Sequence, residues 1–123
     1  MSPEVIRSPD CANSPRNARA EDIALALMGV GGLDPQALAE AASWDRAGAA
    51  IVGRAAIGAA LAGLAPAQNI AIEQVVTHGK AGSVTGRITR AGETLLFCHV
   101  IRFTSAAARE IAQMVSFEHA GRR

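Results

Sequence analysis

The sequence is poor in aromatic residues: among 123 residues it has one tryptophan, three phenylalanines and no tyrosine. Half of the residues are nevertheless apolar, and many of these are alanine. We therefore expect one domain with a closely packed core of small side chains. The formal net charge is only +1, with acidic and basic residues mixed along the chain. Because no basic patch is interleaved with aromatic residues, we expect no binding of nucleic acid.

Cysteines and long apolar runs are also scarce. Cys11 and Cys98 do not make a disulfide framework, which favours a reducing compartment. The N-terminal segment lacks the apolar stretch of a signal peptide. The uncharged run over 55–72 is mostly alanine and glycine and is interrupted by Pro66, so it is too weakly apolar to cross a bilayer. We expect a cytoplasmic protein without a membrane partner.

Helix signals occupy the first half of the chain. A leader over 1–13 has no regular pattern, and a Ser-Pro pair then gives the N-cap and first position of a helix over 14–28. An Asp-Pro pair repeats this signal for a second helix over 34–42. A short extended segment over 43–47 follows, and a third helix begins at Gly53 and ends before the next proline.

From Asn69 onward the apolar residues recur with a period of about two, which indicates strands. Three further strands are predicted over 83–90, 94–104 and 110–118, joined by short connections, so an antiparallel meander is the simplest arrangement. Three helices followed by four strands predict an α+β domain with the helices on one face of the sheet. The opposite face is also partly apolar, which predicts a partner subunit.

The strongest strand contains a single polar residue on its apolar side. Strand alternation places Leu95, Phe97, His99, Ile101 and Phe103 on one face, which we expect to be buried. His99 is then either a core histidine hydrogen-bonded to a neighbour or a pocket histidine that binds a ligand or transfers a proton. Burial would lower the pKa of its imidazole unless a carboxylate offsets the effect.

Four segments carry a resemblance to a known family: 44–45, 53–57, 97–103 and 110–111. In this order they resemble the nuclear transport factor 2-like superfamily, which includes SnoaL-like cyclases, ketosteroid isomerases and limonene-epoxide hydrolases. The segments over 8–15 and 77–80 resemble its small bacterial members. The resemblance implies a cone-shaped, cystatin-like α+β domain over 14–119, followed by a tail over 120–123. It also implies an internal pocket on the concave side of the sheet and a homodimer formed through the outer face.

Ketosteroid isomerases suggest roles for two residues. The resemblance places Asp45 where these enzymes have their general base, and His99 where they have a protonated acid in the oxyanion hole. A base and an acid in a dry cavity are the minimum for proton transfer next to a carbonyl group. We therefore predict Asp45 and His99 as a catalytic pair. The alternative is an exposed Asp45 in a loop, paired with Arg46 or Arg54.

The resemblance and the strand alternation also predict which side chains line the pocket and which form the dimer. The predicted pocket-lining residues are Trp44, Val84, Ile88, Phe97, Ile101, Phe103, Met114 and Ser116. The predicted dimer-interface residues are Val100, Arg102, Gln113, Val115 and Phe117. Ordinary core packing explains the first group equally well.

The overall prediction is a domain that binds a small hydrophobic molecule without a cofactor, with isomerase, cyclase or dehydratase chemistry by Asp45 and His99. The alternative is a non-catalytic binding or dimerisation module. No metal site is expected, because His78, His99 and His119 lie on three different predicted strands without the spacing of zinc ligands.

Overall fold

The computed structural model describes residues 3–120, in which two α-helices pack against one face of a seven-stranded sheet. The helices are α1 (Pro15–Leu27) and α2 (Arg54–Ala62). The strands are β1 (Glu4–Ile6), β2 (Leu38–Arg46), β3 (Ala49–Val52), β4 (Asn69–His78), β5 (Ala81–Arg90), β6 (Glu93–Phe103) and β7 (Ile111–His119). We name the face that the helices cover the inner face and the opposite one the outer face.

The strands β4 to β7 form the antiparallel meander that the sequence predicts. Their alternation of apolar and polar residues specifies which side of each strand is buried, and this determines the register. Two further pairings are parallel, β1 with β4 and β2 with β7, and β3 forms the edge beyond β2. The strand order is β1-β4-β5-β6-β7-β2-β3. The α+β class is confirmed, and the sheet is mixed rather than purely antiparallel.

Two of the predicted helices are present. The side chain of Ser14 accepts a hydrogen bond from the backbone N–H of Asn17 at 3.2 Å, and proline occupies the first position of α1. The second of these helices, α2, follows Gly53, whose φ of 101° lies in the region that favours glycine. It ends at Ala62, before the next proline as expected.

The predicted second helix over 34–42 is wrong, and so is the total of three N-terminal helices. Asp34 does act as an N-cap, because its side chain accepts the N–H of Gln36 at 2.9 Å, but this helix is a single 3-10 turn that ends at Ala37. The chain then continues as β2, which is hydrogen-bonded to β3 on one side and to β7 on the other. These pairings outweigh the helix preference of an alanine-rich segment, which amounts to roughly a few tenths of a kcal/mol per residue.

The leader over 1–13, predicted to be irregular, contains β1 and a second 3-10 turn. The carboxylate of Glu21 on α1 is buried and accepts hydrogen bonds from the backbone N–H of Ser8 at 2.8 Å and from the guanidinium of Arg7. These bonds hold the leader against α1 while β1 extends the edge of the sheet. Of the predicted tail, residues 121–123 lie outside the described part of the chain.

The core between the helices and the inner face contains most of the residues predicted to line a pocket. Each of these side chains is at most 3% exposed: Trp44, Val84, Ile88, Phe97, Ile101, Phe103 and Met114. They belong to one hydrophobic cluster together with residues of both helices. The space in front of β6 is therefore occupied by packed side chains, as the core-packing alternative expects.

Candidate functional site

Three side chains from neighbouring strands of the inner face form a buried polar network. The hydroxyl oxygen of Ser116 on β7 accepts a hydrogen bond from the indole N–H of Trp44 on β2 at 2.9 Å. The same oxygen lies 2.7 Å from Nδ1 of His99 on β6. The strand register explains why these three side chains are in contact. His99 pairs directly with Ser116, and Trp44 pairs with Met114, two positions before Ser116.

His99 is neutral at physiological pH. Burial and, to a smaller extent, the positive charge of Arg90 together lower the pKa of its imidazole to about 4. The indole of Trp44 can only donate, so the hydroxyl of Ser116 is free to donate its own hydrogen to Nδ1. In that tautomer the second ring nitrogen, Nε2, carries a hydrogen. It is buried and has no hydrogen-bond partner within residues 3–120.

The structure does not bring Asp45 and His99 together. Asp45 pairs with Val115 on β7, whereas His99 pairs with Ser116, so the two side chains leave opposite faces of the sheet. On the outer face the Asp45 carboxylate accepts a hydrogen bond from the side-chain amide of Gln113 at 3.2 Å. The predicted catalytic pair is therefore not formed. Alternation accounts for the error, since an inward Trp44 requires the next residue to point outward.

A surface cleft of about 520 Å³ opens beside this network, between the β2–β3 turn and the C-terminal end of α2. A volume of this size is typical of sites for small organic molecules. The residues that line it include Arg46, Ile51, Ala60, Leu64, Arg90, Ser116 and Glu118. Ser116 is the one predicted pocket residue that lines this cleft, and it joins the cleft to the buried Trp44 and His99.

The charged groups of the cleft are held in two ways. Arg90 binds both carboxylate oxygens of Glu118, at 3.1 and 3.2 Å, and donates to the backbone carbonyl of Ala65 at 3.3 Å. The guanidinium of Arg46 lies over the indole ring of Trp44, with its central carbon 4.8 Å from the ring centroid. This distance is that of a cation–π contact.

Neither the cleft nor the roles of Arg46 and Arg90 in it are predicted from the sequence. The alternation of inward and outward side chains along β2 and β5 nevertheless indicates the direction of both arginines. Arg46 lies two positions after the inward Trp44, and Arg90 lies two positions after the inward Ile88, so both arginines continue the inner face beyond the packed core. The sequence alone predicts a short extended segment over 43–47 but no partner strand for it, so the direction of the Arg46 side chain is not predicted.

The outer face carries the large apolar side chains that remain exposed. Val76, Val100 and Val115 lie in one register row across β4, β6 and β7, joined through Ser83 of β5. Val76 is 58% exposed, Val100 38% and Phe117 55%, whereas Val115 is half-buried. Arg102 and Gln113, also predicted for the dimer interface, pair with each other on the same face. The predicted interface is thus a continuous surface on one side of the sheet.

Within residues 3–120, no group of three or more histidine, cysteine, aspartate and glutamate side chains is arranged to hold a metal ion. No helix among the same residues is long and apolar enough to span a membrane. Both cysteines are free thiols, and burial raises the pKa of each, that of Cys11 to about 11.

No protein-family model matches the sequence, and no curated protein sequence matches it either. Similarity is instead found among solved structures. A nuclear transport factor 2-like protein of unknown function from Burkholderia xenovorans LB400 superposes with a TM-score of 0.62 at 12% identity, covering 88% of this chain and 77% of that one. A "putative ketosteroid isomerase" from Kribbella flavida DSM 17836 gives a TM-score of 0.59 at 16% identity, with 88% and 72% covered.

A third structure, a "putative isomerase of the SnoaL-like family" from Agrobacterium tumefaciens str. C58, gives a TM-score of 0.60 at 15% identity and covers 82% of this chain and 97% of that one. At such identities the similarity establishes the fold and leaves the activity open. The chain has the nuclear transport factor 2-like fold, as the sequence resemblance predicted.

Proposed function

We propose that this chain, with its nuclear transport factor 2-like fold, binds a small molecule with an apolar body in the cleft beside Ser116. One observation carries the proposal: Ser116 lines an open cleft of about 520 Å³ and is held in place by two buried partners, Trp44 and His99. A polar group fixed by two hydrogen bonds at the wall of a cavity gives a ligand a defined orientation. Ile51 and Leu64, which line the same cleft, supply apolar surface.

The proposal is one of binding without catalysis, the alternative that the sequence left open. Asp45 lies on the other face of the sheet from His99, and His99 is neutral and buried. Among the described residues that line the cleft, the one carboxylate is Glu118, and Arg90 binds both of its oxygens. Both oxygens of this carboxylate are therefore already engaged in hydrogen bonds.

The fluorescence of Trp44, the single tryptophan, reports on the cleft because its indole is bonded to Ser116. We expect 1-octanol, a neutral molecule with an apolar chain, to change this fluorescence saturably in the wild-type protein. The Ala60→Phe substitution fills the cleft from α2 and should weaken the binding by about tenfold, or about 1.4 kcal/mol. The matched control is Ala59→Phe, which places the same ring on an exposed position of the same helix.

An unsaturable response of the wild-type protein, or equal weakening by Ala60→Phe and Ala59→Phe, would contradict binding in the cleft. Circular dichroism of each variant establishes that α2 and the sheet are retained before the titrations are compared.

We further propose that two copies associate through the outer face, in a cytoplasmic protein. Exposed Val100 and Phe117 give this face an apolar centre. Arg102 and Asp45, of opposite charge, lie on the same face. In a two-fold symmetric interface such a face meets itself, so that the arginine of one copy can approach the aspartate of the other.

A further inference from the structure

Arg46 is the charged group of the cleft that no carboxylate neutralises. Ion pairs within residues 3–120 engage Arg7, Arg87 and Arg90, and none involves Arg46. Within residues 3–120 its guanidinium contacts the ring of Trp44, and no acceptor in this part of the chain binds the N–H groups on its rim. A guanidinium stacked on an aromatic ring has lost part of its rotational freedom, so less entropy is lost when it binds an anion.

The charge of the cleft as a whole is positive. Among residues 3–120, two guanidinium groups and one carboxylate line it, and the pair formed by Arg90 and Glu118 is mutually neutral. Within this part of the chain a single positive charge remains, on Arg46. Its side chain and the apolar side chain of Ile51 belong to the same hairpin, in which Trp44 pairs directly with Ile51.

We propose that the ligand of this cleft is a monocarboxylate with an apolar body, whose carboxylate is bound by Arg46. The inference rests on the proposed binding function and specifies its ligand class. The planar fork of a guanidinium matches the two oxygens of a carboxylate, with two parallel hydrogen bonds. A phosphate dianion would bring two charges to a cleft with one uncompensated cation, and a neutral ligand would leave that cation unused.

The test compares ligands that differ in the head group alone: octanoate, 1-octanol and octylammonium, each followed by the fluorescence of Trp44. These ligands do not absorb where tryptophan is excited. We expect the wild-type protein to bind octanoate at least about tenfold more tightly than 1-octanol, and octylammonium more weakly than 1-octanol. Added salt should reduce the preference for octanoate, because the contact lies in an open cleft.

Arg46→Gln should remove the preference for octanoate over 1-octanol, since glutamine keeps a polar side chain without the charge. The control is Arg109→Gln, at an exposed arginine that precedes β7, whereas the cleft residues of β7 lie towards its other end. This variant should retain the wild-type preference.

The outcomes separate the two proposals. Equal affinities of the wild-type protein for octanoate and 1-octanol, or a preference that survives Arg46→Gln, would overturn the carboxylate assignment and leave small-molecule binding intact. Failure of all three ligands to bind the wild-type protein would overturn both.

Discussion

The hydroxyl oxygen of Ser116 lies 2.7 Å from Nδ1 of His99, so a residue at the wall of the cleft is bonded to a histidine that is 1% exposed. The same oxygen accepts the indole N–H of Trp44. One hydroxyl therefore satisfies two polar groups that water does not reach. The hydrogen bonds of this network link the packed core to the cleft.

Ser116→Ala should destabilise the protein by about 2–4 kcal/mol, because it leaves two buried groups without a partner at about 1–3 kcal/mol each. Urea unfolding followed by circular dichroism measures the difference. Ser116→Thr keeps the hydroxyl and should cost much less. Ser83→Ala, on the outer face of β5, should change stability by less than about 0.5 kcal/mol. A loss below about 1 kcal/mol for Ser116→Ala would contradict the network.

The lowered pKa of His99 predicts a pH dependence of stability. The folded protein binds this proton with a pKa of about 4, whereas the unfolded chain has the ordinary value of 6.5. Between these values the unfolded chain binds the proton and the folded chain does not. Stability should therefore fall as the pH drops from about 6.5 to about 4, with a total contribution of about 3 kcal/mol.

The His99→Leu variant lacks the contribution of His99 to the pH dependence of stability. The titration of the carboxylates affects the variant and the wild-type protein alike. Urea midpoints measured between about pH 7 and pH 4.5 should therefore fall less steeply in His99→Leu than in the wild-type protein. Parallel curves for the two proteins would show that His99 is not held neutral by burial.

The buried carboxylate of Glu21 predicts that the leader is part of the folded unit. Glu21→Ala should cost about 2–3 kcal/mol, because the buried N–H of Ser8 loses its acceptor and Arg7 loses a partner. Hydrogen exchange should also speed up selectively in β1. The adjacent Asp22→Ala is the control, since Asp22 binds the same arginine at an exposed position. Equal effects of the two substitutions would contradict this role.

Two glycines should respond to alanine with opposite signs. A Cβ atom at Gly86 of β5 would lie 2.0 Å from the carbonyl oxygen of Ala71 and 2.9 Å from the ring of Phe97, so Gly86→Ala should destabilise by more than about 2 kcal/mol. Gly58 lies inside α2 with open space around it, and Gly58→Ala should stabilise by about 0.5–1 kcal/mol. Thermal unfolding of both variants tests the packing of β5 against β4 and β6.

Association through the outer face predicts a dimer at micromolar concentration in sedimentation velocity. Val100→Asp places a charge at the centre of the exposed apolar row and should shift the protein to monomer. Ala107→Asp, in the exposed loop after β6, should leave it dimeric. Sedimentation of the wild-type protein as a monomer would contradict the proposed interface.

The sequence predicted the second half of the chain better than the first. The meander from Asn69 onward follows a period of two that the structure retains. In this meander His99 pairs with Ser116, so their side chains lie on the same face. The strand β2 could not be predicted from the residues around 34–42 alone. Its pairing partner, β7, lies far along the chain. The cleft was missed for the same reason, since its walls meet only in the folded sheet.

The most direct test of binding in the cleft is a titration with octanoate followed by ¹H–¹⁵N correlation spectra. The one indole resonance belongs to Trp44 and can be identified without assignment of the backbone. We expect this resonance to shift saturably, together with the amides of Arg46, Leu64 and Ser116. Shifts confined to amides outside the cleft, with an unchanged indole resonance at saturation, would contradict the account.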